Sequence, residues 1–347
     1  MKIPKASFEE TLEKNVVLTG KCIGCAACVV VCPFACLDYV EHKPQIISEC
    51  KVCGICPQVC PRYELPWASL EEFLFGRKSK AEEDFGIYQR LAIAQATDKH
   101  ILRVSQDGGV ASALLIYAMK NGIIDSAAVC GFSKEKPLYP VPKLVTTFEE
   151  VLAYAGTRYF YSPNLLAFQE GIKQNKRSIA FVGTPCQIHA VRRIQTVPLK
   201  KYADKLGFAI GLMCTESFSY EGLVEKHIRG VLGINPLDIR KMNIKGKLII
   251  TLNNGENREI ALAEAKQCAT TSCVLCSDFS SELADISVGG LGLSDWTFTV
   301  MRTKEGLELF ENAEKAGVLK ARSVGEEQKA FDLLVRLSKI KRKRRIQ

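Results

Sequence analysis

Residues 22–33, CIGCAACVVVCP, and residues 50–61, CKVCGICPQVCP, repeat one pattern: three cysteines spaced by two residues, a fourth after three more, then proline. In each copy the three close thiolates can wrap one corner of a 4Fe-4S cube, while the fourth, beside the proline, reaches across to the other cube. That crossing groups Cys22, Cys25, Cys28 and Cys60 around one cluster and Cys50, Cys53, Cys56 and Cys32 around the second. Cysteines two apart also bind zinc tetrahedrally. Duplication of the whole run with its proline favours iron and sulfur. Cys36 falls outside the pattern and is expected as a buried thiol.

Working outward, residues 1–66 hold nine of the fifteen cysteines and leave little room for long helices or strands. They are expected to form a small two-cluster module of the bacterial ferredoxin type. Glu71 to Asp84 is charged, and residues 67–84 read as a linker or a short exposed helix. A mixed α/β domain is expected over 85–338, with a basic tail at 339–347. Because 1–66 contain all the ligands of both clusters, the two halves are expected to be separable.

The chain has 347 residues, 47% hydrophobic and 24% charged, which suffices for a full core and excludes disorder. No apolar run is long enough to span a bilayer, and the first residues lack the apolar segment of a secretory signal. A place in the cytoplasm, or on the cytoplasmic face of a membrane, is expected. There, fifteen cysteines do not read as a disulfide frame. The net charge of +9 owes six units to Lys339, Lys341, Arg342, Lys343, Arg344 and Arg345. Such a tail suggests electrostatic docking on a partner subunit or an anionic membrane. No aromatic residues interleave with the charges, so nucleic acid is not an expected partner.

Beyond residue 85, helical and strand patterns alternate. A nearly all-apolar helix is read at Gly108–Lys120, a buried strand at Ala127–Phe132, and a helix entered at Ser162-Pro163 and running to about Asn175. Strands follow at Ile179–Val182 and Phe208–Met213, then a helix around Leu223–Ile228 capped by Ser219. Lys247–Leu252 and Arg258–Leu262 flank Asn253-Asn254-Gly255, a hairpin turn. Gly108-Gly109 opening a helix offers a diphosphate close backbone and a positive helix end, or simply permits tight packing. Thr157-Arg158 and Gly183-Thr184 are further candidates at strand-to-helix turns. Cys273-x2-Cys276 reads as a ligand pair, and Cys186, at a helix start, is expected to carry a lowered thiol pKa. His42, His100, His189 and His227 are scattered and read as surface or structural residues, and Trp296 and Tyr159-Phe160-Tyr161 as core.

Ser105-Gln106-Asp107-Gly108-Gly109, GTRY at 156–159, GTPCQ at 183–187, Cys273-x2-Cys276-x-Asp278-Phe279 and ADISVGG at 284–290, taken in this order, resemble the beta-subunit family of coenzyme F420 hydrogenases and dehydrogenases. The resemblance covers roughly residues 90–310 and implies an α/β domain holding FAD and one more 4Fe-4S cluster, with coenzyme F420 as hydride partner. Carried over, it implies Cys186, Cys214, Cys273 and Cys276 as ligands, with Cys268 a rival. It also implies FAD contacts among Ser105, Gly108, Gly109, Thr157, Arg158, Gly183 and Thr184. The ferredoxin-type module, which the hydrogenase beta subunit lacks, makes the arrangement look most like the branch that feeds electrons into archaeal F420H2 dehydrogenases, as part of a redox complex that can be membrane-bound. A deazaflavin gives up two electrons as hydride and each cube accepts one, so a flavin must stand between them. No acid or base residue is required, and none is assigned. The expected order is hydride to FAD, then single electrons to the third cluster, the N-terminal cubes and a partner. A ferredoxin-linked reductase of another small molecule and a non-enzymatic relay are the competing readings.

Overall fold

The computed structural model describes residues 3–345. In the N-terminal segment, the helices Ala27–Val30 and Ile55–Val59 each follow a residue in left-handed conformation, Ala26 at φ 65° and Gly54 at φ 70°. The matched corners turn each cysteine run back on itself. At Gly54 a Cβ would collide with the Pro4 carbonyl, so glycine is required there. Between the helices lies a hairpin, β1 (Leu37–Val40) with β2 (Lys43–Ile46).

The larger part is built on an eight-stranded mixed sheet. Its strands are β3 (Arg90–Ala96), β4 (Ser126–Phe132), β5 (Pro140–Val145), β6 (Ile179–Gly183), β7 (Leu206–Leu212), β11 (Ile286–Gly289), β12 (Thr297–Met301) and β13 (Leu319–Arg322). Their order is β13-β3-β12-β11-β7-β6-β4-β5, with β11, β7, β6 and β4 parallel and the remaining pairs antiparallel. The carboxyl ends of β6, β7 and β11 therefore share one edge. Apolar helices such as Val110–Lys120 and Leu165–Lys173 cover the sheet. A lobe formed by β8 (Ile239–Ile244), β9 (Lys247–Leu252) and β10 (Asn257–Ala261) packs on the helix Glu221–Val231 through Leu223, Val224, Met242, Leu248 and Ile250.

The mixed α/β class and the β9–β10 hairpin agree with the sequence reading, and three features differ from it. First, the stretch read as a linker or a short exposed helix opens with the helix Trp67–Phe75, which is not exposed on all sides: its Trp67, Leu70 and Leu74 pack into the core. Those three share one helical face, and the charges that follow hid the pattern. Second, the halves share a core: Ile23, Val30, Val31 and Val59 pack with Leu165, Phe168, Phe181 and Ile188. Tyr202 donates to the Val30 carbonyl at 2.8 Å across the same contact.

Third, residues 339–345 do not form a free docking arm. The helix Gln328–Arg342 continues to residue 342 and is followed by a turn, Lys343–Arg345. Lys339 pairs with Asp84 at 3.0 Å, and Arg342 with Glu282 at 2.5 Å. Lys341 and Arg344 donate to backbone carbonyls. Acidic partners distant in sequence recruit the cations, leaving Lys343 exposed. The Arg345 side chain and residues 346–347, also part of the expected tail, lie outside the described residues. Among the described residues no helix is long and apolar enough to cross a membrane.

Candidate functional site

The N-terminal thiols form two neighbourhoods drawn from both cysteine runs. Cys25 and Cys28 are buried beside Cys22 and Cys60. Cys56 faces Cys53, Cys50 and Cys32. Cys36 is buried with its Sγ 3.3 Å from that of Cys32, so a fifth thiol adjoins the second neighbourhood. Phe34, 53% exposed, and Ile47, 61% exposed, belong to the same part of the segment, where Cys50 and Cys53 are half-buried.

A third thiol neighbourhood forms at the carboxyl edge of the large sheet. Cys186 occupies the second position of the helix Pro185–Thr196, directly after β6; Cys214 follows β7; Cys273 and Cys276 belong to the loop before β11. Chain segments far apart in sequence meet here because β11, β7 and β6 are adjacent. The Ser217 N–H donates to Cys273 Sγ at 3.4 Å, the Cys214 N–H to the Phe279 carbonyl at 2.9 Å, and Cys276 Sγ to the Asp278 carbonyl at 3.3 Å. Cys268 stands apart in the lobe beside Gly222, with Glu264 as its charged neighbour.

One expectation about Cys186 is corrected. Burial, reinforced by Cys276 and opposed by the Thr184 hydroxyl at 3.3 Å, pushes its thiol up to about 11, so the helix start does not lower it. Burial likewise pushes Cys214, Cys25 and Cys28 upward. Thiols this desolvated become thiolates when a metal supplies the compensating charge. Among the described residues no three His, Cys, Asp or Glu side chains meet the spacing of a single metal ion. Four thiolates that each bind a separate iron of a cube need not do so, and the all-sulfur donor sets fit such clusters.

The inner N-terminal neighbourhood adjoins the third one. Cys25 and Cys186 are electrostatic neighbours, and the half-buried Tyr161 adjoins both. Arg62, just past the second run, donates to the Leu275 carbonyl at 2.7 Å and to that of Ser272 at 3.2 Å. His189 is structural, as its isolation in the sequence suggests: it is buried, bonds Asp278 at 2.9 Å and meets Trp67 edge-on at 5.1 Å.

The residues expected to hold a flavin nucleotide collect along the same edge, in different states of engagement. A Cβ on Gly108 would come within 2.5 Å of the Ala94 carbonyl, and Gly109 starts its helix at φ 70°, so both glycines are demanded by local packing and conformation. Ser105 donates to the Ile101 carbonyl at 2.7 Å. Arg158 caps the helix Phe148–Ala153 through the Tyr154 and Ala155 carbonyls and lies over the Phe132 ring, while Thr157 is exposed. Gly183 ends β6, and Thr184 takes the N-cap position of the next helix with its hydroxyl turned to Cys186 Sγ rather than to the helix backbone.

Sequence reading missed the lobe's contribution to this edge. Lys241 Nζ donates to the Gln106 carbonyl at 3.1 Å and Lys245 Nζ to Ser294 at 3.3 Å. Both lysines pull down the carboxyl of Asp107, which burial nevertheless raises above its ordinary value. Beside β6, Asn164 Oδ1 and Gln187 Oε1 are buried acceptors without hydrogen-bond partners. Two cations beside the helix start at Gly109 fit a phosphate-bearing nucleotide.

Residues 91–169 match the family described as the N-terminal part of the coenzyme F420 hydrogenase/dehydrogenase beta subunit, and residues 176–327 match the family described as its C-terminal part. The chain is 36% identical over 264 residues to the coenzyme F420 hydrogenase subunit beta of Methanosarcina barkeri, covering 74% of this chain and 89% of that protein. It is 30% identical over 312 residues to a subunit of the F(420)H(2) dehydrogenase of Methanosarcina mazei, covering 86% and 83%. A chain of the F420-reducing [NiFe] hydrogenase complex from Methanosarcina barkeri superposes with TM-score 0.73 at 32% identity, covering 77% of this chain and 92% of that one.

Proposed function

The chain belongs to the coenzyme F420 hydrogenase/dehydrogenase beta-subunit family, and from that premise we propose that it is an oxidoreductase oxidising reduced coenzyme F420 and passing the electrons to a partner complex. FAD would accept the hydride pair, and three 4Fe-4S clusters would carry electrons singly, which is the conversion that a hydride donor and one-electron acceptors require. The observation that carries the reading is the juxtaposition of Cys25 with Cys186. It joins the ferredoxin-type thiols to thiols that share a sheet edge with the candidate nucleotide contacts.

Each part of the chain then has a task. Lys241 and Lys245 offer positive charge to a diphosphate, and Gly109 leaves the start of its helix clear of a side chain. Cys186, Cys214, Cys273 and Cys276 hold the third cluster, Cys22, Cys25, Cys28 and Cys60 the inner cube, and Cys32, Cys50, Cys53 and Cys56 the outer one. Phe34 and Ile47 near the outer thiols offer an apolar surface against which an iron-sulfur partner can dock. A partner-bound place, on the cytoplasmic face where that complex is in the membrane, follows from this role.

The test is anaerobic assay of the reconstituted protein with F420H2 and an artificial one-electron acceptor. Oxidation that depends on bound flavin supports the proposal. A fully loaded protein that leaves F420H2 unoxidised, but is reduced by a ferredoxin, would overturn it in favour of the reductase reading.

A further inference from the structure

The C-terminal helix Gln328–Arg342 and the turn after it lie beyond the family match, which ends at residue 327, and the proposed function gives them no task. Their cations nevertheless converge on the third thiol neighbourhood. Lys341 retains only 5% of its exposure and donates to the Asp278 carbonyl at 3.3 Å. Arg344 donates to the carbonyls of Cys273 at 3.1 Å and Cys276 at 3.2 Å. With Arg62 on Ser272 and Leu275, cations engage the backbone of nearly the whole Ser272–Asp278 loop.

Anchoring alone does not account for Lys341. The helix end is already fixed by Arg342, which binds Glu282 and the Glu83 carbonyl, and by Lys339 on Asp84. A buried ammonium is costly unless negative charge faces it. Here the sulfurs of Cys276 and Cys214, together with Asp278, face it as electrostatic neighbours, and its Nζ reaches the Asp278 carbonyl at 3.3 Å.

We propose that Lys341, assisted by Arg344, sets the electron affinity of the cluster held by Cys186, Cys214, Cys273 and Cys276, a buried positive charge favouring its reduced form. This rests on those cysteines holding a cluster. Reduction adds one electron from the reduced flavin, with no bond made or broken at Lys341 and its proton staying in place. Net charge close to an iron-sulfur centre is one of the levers that set its potential.

The experiment is a mediated redox titration, followed by electron paramagnetic resonance, of wild-type, Lys341→Met, Lys341→Arg and Arg344→Gln proteins, with iron and flavin counted in each. Lys341→Met should keep about twelve irons per chain, while the equilibrium constant for reducing one cluster falls about tenfold, about 59 mV for a one-electron couple. Lys341→Arg should stay near wild type and Arg344→Gln shift less, in the same direction. An unchanged midpoint in an iron-replete Lys341→Met protein would overturn the proposal. Should that variant lose the cluster, Arg344→Gln decides: a lowered midpoint supports the charge effect and an unchanged one refutes it. Wild type carrying only about eight irons would instead remove the third cluster itself, a distinguishable failure.

Discussion

His189 donates through Nε2 to the Asp278 carboxylate at 2.9 Å, tying the helix that carries Cys186 to the loop that carries Cys273 and Cys276. The same carboxylate accepts the N–H groups of Ser281 at 2.8 Å and Glu282 at 3.0 Å. Asp278→Ala would leave these donors buried and unpaired, at about 1–3 kcal/mol each. The variant should fold with its sheet intact but lose one cluster, dropping from about twelve to about eight irons per chain. Iron and acid-labile sulfide analysis beside circular dichroism checks this; full iron content would show that the bond does not organise the site.

Cys268 and Cys276 separate by the same assay. Cys268 packs beside Gly222 in the lobe, away from the other thiols, whereas Cys276 is buried among them. Cys268→Ser should retain all its iron, and Cys276→Ser should lose about four per chain. The reverse result would exchange the two residues in the ligand set.

Asp107 gives a pH signature. Burial raises its carboxyl pKa in the folded chain, with Lys241 and Lys245 opposing. For a raised acid, the stabilising contribution is full below the unfolded value, about 4, and is lost as pH rises through the folded value. Asp107→Asn should therefore melt close to wild type near about pH 4 and above it by about pH 7, the gap widening between. Thermal melts of flavin-free protein across that range test the sign, and a gap that narrows with rising pH would contradict it.

The shared core makes residues 85–347 a poor fragment. Removing the N-terminal part uncovers Leu165, Phe168, Ile188 and Val191, which pack against Ile23, Val30 and Val59. The truncated chain should aggregate or melt without cooperativity, and Phe168→Ala in the full chain should cost about 3–5 kcal/mol. A monomeric fragment with a sharp melting transition would show that the sequence-based expectation of separable halves was right after all.

The two cysteine runs were legible because their chemistry depends on local spacing alone. The meeting of Cys186, Cys214, Cys273 and Cys276 was not, since it depends on the adjacency of β11, β7 and β6; only the family resemblance brought them together in advance. Strand β5 escaped notice because Pro140 and Pro142 break strand patterns, and they are tolerated there because β5 lies at the sheet's edge. The C-terminal cations read as a solvated run because their partners, Glu282, Asp84 and the carbonyls around Cys273, are remote in sequence. Lys241 and Lys245 carry no motif, and only the lobe's fold against the Ser105–Asp107 loop gives them a place at the site.

Single-turnover mixing of F420H2 with fully loaded protein, frozen at intervals for electron paramagnetic resonance, tests the central claim most directly when wild type is compared with Cys273→Ser and Cys53→Ser. The account predicts flavin reduction by F420H2 in all three. Signals from the N-terminal clusters should follow in wild type, be lost or greatly slowed in Cys273→Ser, and be confined to the inner cluster in Cys53→Ser. Wild-type rates of N-terminal cluster reduction in a Cys273→Ser protein lacking its third cluster would contradict the account.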